Sequence, residues 1–248
     1  MDQGGHAVLL EPKYLKEGRF RMIEEDVLNY DFSLRGPRTT PQVLPAHFKL
    51  VPKSLRKRFP LVIIDGHALR TYRPLHEPRP VTQASLPPYT GWEGPTRSFR
   101  DTLLISQFLL ALETLTQGGT LVAKLAHLEC TPAAPLLYML DQLSQEIVVH
   151  KPRALHTSRG TFYVIAKGVH LTRRGQRWVR GLRALWYSLR FGGEGGGCRP
   201  MAPDELDFIV SADEILENYI DRLVELGRGP WATQAEGIRK LLERKGAQ

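Results

Sequence analysis

Cysteine is scarce: Cys130 and Cys198 are the only two in 248 residues. They lie far apart, match no metal-binding spacing and suit a reducing compartment. Long apolar runs are missing, so no stretch is fit to span a bilayer. A basic leader is missing too. Met1 to Glu11 carries Asp2, Gln3 and His6, which speaks against a secretory signal. The expectation is an intracellular protein of nucleus or cytoplasm, not secreted, with no membrane partner. Acidic residues are the minority, 26 against 34 Lys and Arg, for a net charge of +8. That balance suits a polyanion such as RNA without identifying one. Nothing in the sequence fixes an oligomeric state. What is present is a hydrophobic fraction of 42%, enough for a core. The length allows one α/β domain with an extension.

Two short runs organise the chain. Leu61-Val62-Ile63-Ile64-Asp65 is followed at once by Gly66-His67, and Thr120-Leu121-Val122-Ala123-Lys124-Leu125 follows Gly118-Gly119. Between them Leu104, Phe108, Ala111 and Leu115 recur at helical spacing, predicting a helix from about Thr102 to Thr116 that stops at the glycine pair. Aliphatic runs without polar alternation fit strands buried on both faces of a parallel sheet. In such sheets ligands sit outside the carboxyl ends of the strands. Asp65 and Lys124 therefore belong in one crevice, and any chemistry is expected there.

Further elements follow from the same periodicities. Phe20 to Ile23 reads as a strand that would bring Asp26 to a carboxyl end. A Pro-rich stretch after Asp65 holds Pro74, Pro78, Pro80, Pro87, Pro88 and Pro95, and suits a loop covering the crevice. Ala133 to Leu143 reads as a helix, Glu146 to His150 and Thr161 to Ala166 as strands. Their connection is too short for a helical crossover, so the two pair antiparallel. Beyond Gly168, Trp178, Val179, Leu182, Leu185, Trp186 and Leu189 form a helical stripe that Arg173, Arg177, Arg180, Arg183 and Arg190 largely avoid, marking a basic amphipathic helix. Its arginines either stand in water or meet RNA. Gly192 to Gly197 reads as a flexible linker or hinge. Ser211 with Glu214 opens a helix ending near Gly227, and Thr233 with Glu236 opens the last one.

Three segments then carry a resemblance. Leu61 to Gly66 (LVIIDG), Leu109 to Leu125 (LLALETLTQGGTLVAKL) and Lys151 to Gly168 (KPRALHTSRGTFYVIAKG) resemble, in order and spacing, the second half of the FtsJ family of RNA 2′-O-ribose methyltransferases. The resemblance implies an α/β, class I methyltransferase (Rossmann-like) sheet with a terminal antiparallel hairpin. It divides the chain into a partial methyltransferase domain, 1–168, and a basic helical extension, 169–248. It further implies S-adenosyl-L-methionine as cofactor and RNA, ribosomal RNA foremost, as substrate.

The family uses a Lys-Asp-Lys-Glu tetrad. By resemblance Asp65 matches its Asp, also against the cofactor, Lys124 matches its second Lys, and Asp26 matches the acid that contacts adenine. Ser158, Arg159 and Tyr163 agree with the pattern around the last member. The chemistry is coherent, because a ribose hydroxyl must lose its proton to attack a sulfonium methyl, and a lysine oriented by a carboxylate can act as the base. The tetrad Glu, however, falls on Thr161, which has no charge with which to steady the lysine. The family's first strand, glycine-rich loop and first tetrad lysine would lie upstream of Met1. Gly4-Gly5 is not that loop, having no strand before it. The Asp65 strand would then have an open inner edge. Either the Phe20 strand covers it or, the expectation favoured here, the sequence is a fragment of a longer protein.

The sequence thus carries two functions of different class: an RNA 2′-O-methyltransferase domain, and a catalytically inactive RNA-binding or scaffolding remnant of the same fold. A methyltransferase acting on amines fits less well. Such enzymes commonly place Asn/Asp-Pro-Pro-aromatic where this chain has Asp65-Gly66-His67-Ala68. His67 reads as a loop residue.

Overall fold

A computed structural model describes residues 27–34, 47–66, 95–154 and 156–246. The expected Phe20 strand, Asp26, His67 and most of the Pro-rich stretch lie outside these residues. Strand β1 is Phe59–Ile64, helix α1 Pro95–Thr114, strand β2 Leu115–Ala126 and helix α2 Ala133–Leu143. They are followed by strands β3, Glu146–His150, and β4, Thr161–Val169. Helices α3, Arg173–Phe191, α4, Ala212–Asn218, and α5, Ile220–Arg244, complete the chain.

The four strands form one mixed sheet in the order β1-β2-β4-β3. Strand β2 is parallel to β1, and β4 is antiparallel to both β2 and β3. The carboxyl ends of β1 and β2 and the amino end of β4 therefore share one rim. Apolar alternation sets the buried face: Leu121, Ala123 and Leu125 of β2 and Phe162, Val164 and Ala166 of β4 are buried. Helix α1 packs against β1 and β2, and α2 against β3 and β4. The other face is the more open one, with Leu61 49%, Ile63 61% and Val148 37% exposed. The expectation of burial on both faces is thus overturned for β1, because a pleated strand covered on one side still shows every second residue. At the far edge β3 has α5 beside it.

Several boundaries differ from the sequence expectations: β1 starts earlier, at Phe59, β4 runs on to Val169, and the helix opened at Ser211 ends at Asn218 rather than near Gly227. Three more have a clear physical cause. First, α1 begins earlier, at Pro95, a residue whose missing N–H costs nothing in a first turn. Second, Gly118-Gly119 lies inside β2 rather than before it. The register with β1 shifts there, and Gly118 takes φ +75°. A Cβ on Gly119 would stand 2.9 Å from the Pro60 carbonyl, so the pair makes a bulge where backbones approach closely. Third, no new helix opens at Thr233. Helix α5 runs unbroken through Gly227, Gly229 and Pro230, because Gly227 and Pro230 are buried against the body of the protein and packing outweighs the local stop signal.

Helix α3 forms a third layer over α1. Trp178, Leu182, Leu185, Trp186 and Leu189 are buried, and Trp186 Nε1 donates to Ser106 Oγ at 3.1 Å. Arg183 pairs with Glu113 and donates to the Phe32 carbonyl. Gly192 to Gly197 is a closed turn rather than an open linker. Gly193 N–H donates to the Gly197 carbonyl at 2.9 Å, and Arg199 beyond it is tied to Ser188 and Glu205. Helix α4 starts on the expected capping box of Ser211 and Glu214. The buried core is continuous across Gly168, from the sheet through α3 to Leu223 of α5.

Candidate functional site

Asp65 is the first residue past β1, and Ile64 is in register with Ala123. One step further along each strand brings Asp65 beside Lys124. Lys124 Nζ lies 2.7 Å from Asp65 Oδ1. Tyr163 is the cross-strand partner of Lys124 on β4, and its hydroxyl donates to Asp65 Oδ2 at 3.1 Å. The carboxylate thus receives an ammonium on one oxygen and a phenol on the other. Burial, then the Asp65 carboxylate, pushes the Tyr163 phenol above the ordinary tyrosine value, so it stays a donor at neutral pH. Lys124 is 18% exposed and Asp65 43%. A pair this open contributes about 1 kcal/mol or less to stability, so its value lies in holding an amine at a fixed place on the rim.

Position is enforced from behind. Gly66 N–H donates to Gln107 Oε1 at 2.8 Å, and Gln107 Nε2 donates back to the Gly66 carbonyl at 3.0 Å. Gln107 is a buried residue of α1, so the helix grips the chain immediately after Asp65. A Cβ on Gly66 would come 2.7 Å from Gln107 Oε1. A larger residue there would push the Gln107 amide off its two hydrogen bonds to the Gly66 backbone.

Thr161 opens β4 opposite Ala126, two residues from Tyr163 and so on the same face of the sheet. It brings no charge to the rim. Its carbonyl accepts from Lys151 Nζ at 2.7 Å. Lys151, only 5% exposed, also donates to the carbonyls of Arg159 and, at 3.4 Å, His156. The Lys-Pro…Ser-Arg segment is thus a loop drawn around one buried ammonium, and burial pulls that amine below its ordinary value. Lys151 fixes where β4 starts.

Helix α5 stands on the same side. Trp231 Nε1 donates to Glu129 Oε2 at 3.2 Å, and Gly237 packs so closely that a Cβ would meet the Thr157 backbone at 2.6 Å. A cavity of ≈ 10 Å³ remains between Thr161, Lys151, Glu129, Pro230, Trp231 and Gln234. A nucleoside cofactor needs a site of several hundred cubic ångströms, on the order of 300 at least. That cavity, which neither Asp65 nor Lys124 lines, is therefore too small for S-adenosyl-L-methionine. Asp26, the expected adenine contact, lies outside the described residues.

The sequence pointed to Asp65 and Lys124 as neighbours, and they are in contact. It gave Tyr163 no role of its own. Its place opposite Lys124 is set by the register of the antiparallel return of β4 on the more open face, which no local pattern reveals. The α5 contact had no signal in the sequence. No group of three or more His, Cys, Asp or Glu suited to a metal occurs among the described residues. No helix among them is long and apolar enough to cross a membrane. No protein-family model matches this chain, and neither does any curated protein sequence.

Proposed function

We propose that this chain carries the C-terminal half of an FtsJ-type, class I RNA 2′-O-ribose methyltransferase sheet, with Asp65, Lys124 and Tyr163 acting on the ribose hydroxyl. The observation that carries the reading is the 2.7 Å contact of Lys124 with Asp65 on neighbouring strand ends. It is supported by the strand order β1-β2-β4-β3 with β4 reversed, the order in which such sheets end. On this reading Lys124 first gives a proton to water, and its neutral amine then accepts the proton of the 2′-hydroxyl. Asp65 aims the amine and keeps the resulting ammonium paired, and Tyr163 holds Asp65 in that orientation.

The test is transfer of labelled methyl groups to ribosomal RNA, comparing the chain with Lys124→Ala. A general base contributes about 10²–10⁴-fold, and a loss of that order is expected. Equal incorporation by both proteins would remove Lys124 from the mechanism.

Thr161 favours a second reading, an RNA-binding or scaffolding protein of the same fold without catalysis. That reading predicts salt-dependent RNA binding with no calorimetric heat on adding S-adenosyl-L-methionine. Micromolar cofactor binding would count against it.

A further inference from the structure

Helix α3 carries a line of cations that the rim does not use. At about 100° per residue, Arg173, Arg177 and Arg180 fall within about 60° of one another. They lie opposite the buried stripe of Trp178, Leu182, Leu185 and Leu189. All three are exposed. None has a carboxylate within ion-pair distance among the described residues. The neighbouring Arg174 is occupied, stacked 4.7 Å over Trp178 and donating to Tyr138 Oη, with Glu214 close enough to feel its charge.

Two physical points make this more than a solvated face. Arg173 stands in the first turn of α3, where the exposed N–H groups already carry positive charge, and no acidic residue stands in that turn. Cations there oppose the helix dipole, whereas an anion would satisfy both. The second point is an aromatic ring. Phe208 is 41% exposed and lies directly on Gly181, one turn along from Arg177, in space that any Cβ on Gly181 would occupy. The glycine thus seats an exposed ring at the flank of the arginine line.

We infer that Arg173, Arg177, Arg180 and Phe208 form a single-stranded RNA contact surface, with the guanidinium groups on phosphates and the ring stacked on a base. The three arginines span about 10 Å of helix axis, within reach of consecutive phosphates. An anionic bilayer is the poorer occupant. The apolar face of α3 is turned wholly inward, so only one ring is left to enter a membrane. Asp207, exposed and next to Phe208 in the chain, sets a negative charge beside the ring. The inference shares RNA as partner with the function proposed above but needs no methyl transfer.

Fluorescence anisotropy of the whole chain with a labelled 20-nucleotide single-stranded RNA tests it. The triple variant Arg173→Gln, Arg177→Gln, Arg180→Gln changes only exposed side chains, and an unchanged melting curve checks its fold. Its affinity is expected to fall about tenfold, and the slope of log K against log salt to drop by about 2, from three phosphate contacts. Phe208→Leu should weaken binding severalfold while leaving the slope unchanged, and Asp207→Asn should tighten it. Lys240→Gln, which removes an exposed cation of α5 already paired with Glu236, should bind like the native chain. Because anisotropy reads binding without methyl transfer, a negative result here leaves the catalytic reading to its own test. Unaltered affinity and slope in the triple variant would overturn the inference. So would vesicles of phosphatidylserine and phosphatidylcholine that displace the RNA.

Discussion

Single residues hold the rim in shape, and their effects separate cleanly. The Tyr163 phenol is raised mainly by burial and then by Asp65. Its folded value lies above its unfolded one, so its contribution to stability is complete below about pH 10 and is lost as pH rises through the folded value. Phenolate absorbance should show Tyr163, identified by its loss in Tyr163→Phe, ionising at higher pH than free tyrosine. Asp65→Asn should bring it part of the way back, since burial remains. Lys151 acts differently, binding the turn from His156 to Thr161 by its carbonyls. Lys151→Met should cost about 1–3 kcal/mol, the desolvation of acceptors left without a donor, read from denaturant melts. Amide exchange should speed up from His156 to Thr161 first. Uniform exchange changes across the sheet would show that the lysine serves the core in general.

At the scale of elements, legibility tracked how local the deciding forces were. Helix α2 and strand β3 match their expected limits, because the helical period of Leu136, Leu137, Leu140 and Leu143 and the short Ile147-Val148-Val149 run determine them within their own span. The glycine pair in β2 and the Gly-Pro segment in α5 were misread for one shared reason. Local rules score glycine and proline as breaks, but here one admits the Pro60 carbonyl and the other faces a buried surface. Asp65 and Lys124 were legible because each ends an apolar run. Tyr163 was not, since its partner is set by the register of a distant strand. Gly237 offers a test of such non-local packing. Gly237→Ala pushes a methyl into the Thr157 backbone, and overpacking of this kind costs about 1–3 kcal/mol. The melting temperature should fall, and Trp231 fluorescence should report movement of α5.

Over the whole molecule, the two edges of the sheet are treated unequally. Strand β3 has α5 alongside, while β1 shows Leu61 and Ile63 to solvent. An apolar edge strand invites pairing with other chains. Ile63→Lys should therefore reduce concentration-dependent scattering while moving stability by no more than about 0.5 kcal/mol, since the side chain is already exposed. Undiminished association would place the sticky surface elsewhere. The opposite flank has its own consequence. Helix α5 is tethered near its start by Arg222 to Asp141 and reaches Thr157 beyond Trp231. Trimming the tail at Arg228 to obtain a tidy minimal domain would leave the strands their own helices yet remove Pro230, Trp231 and Gln234 from beside Thr161 and Lys151. A shortened protein that frayed there would then be reporting a lost buttress at the start of β4, not a weakness of the sheet itself.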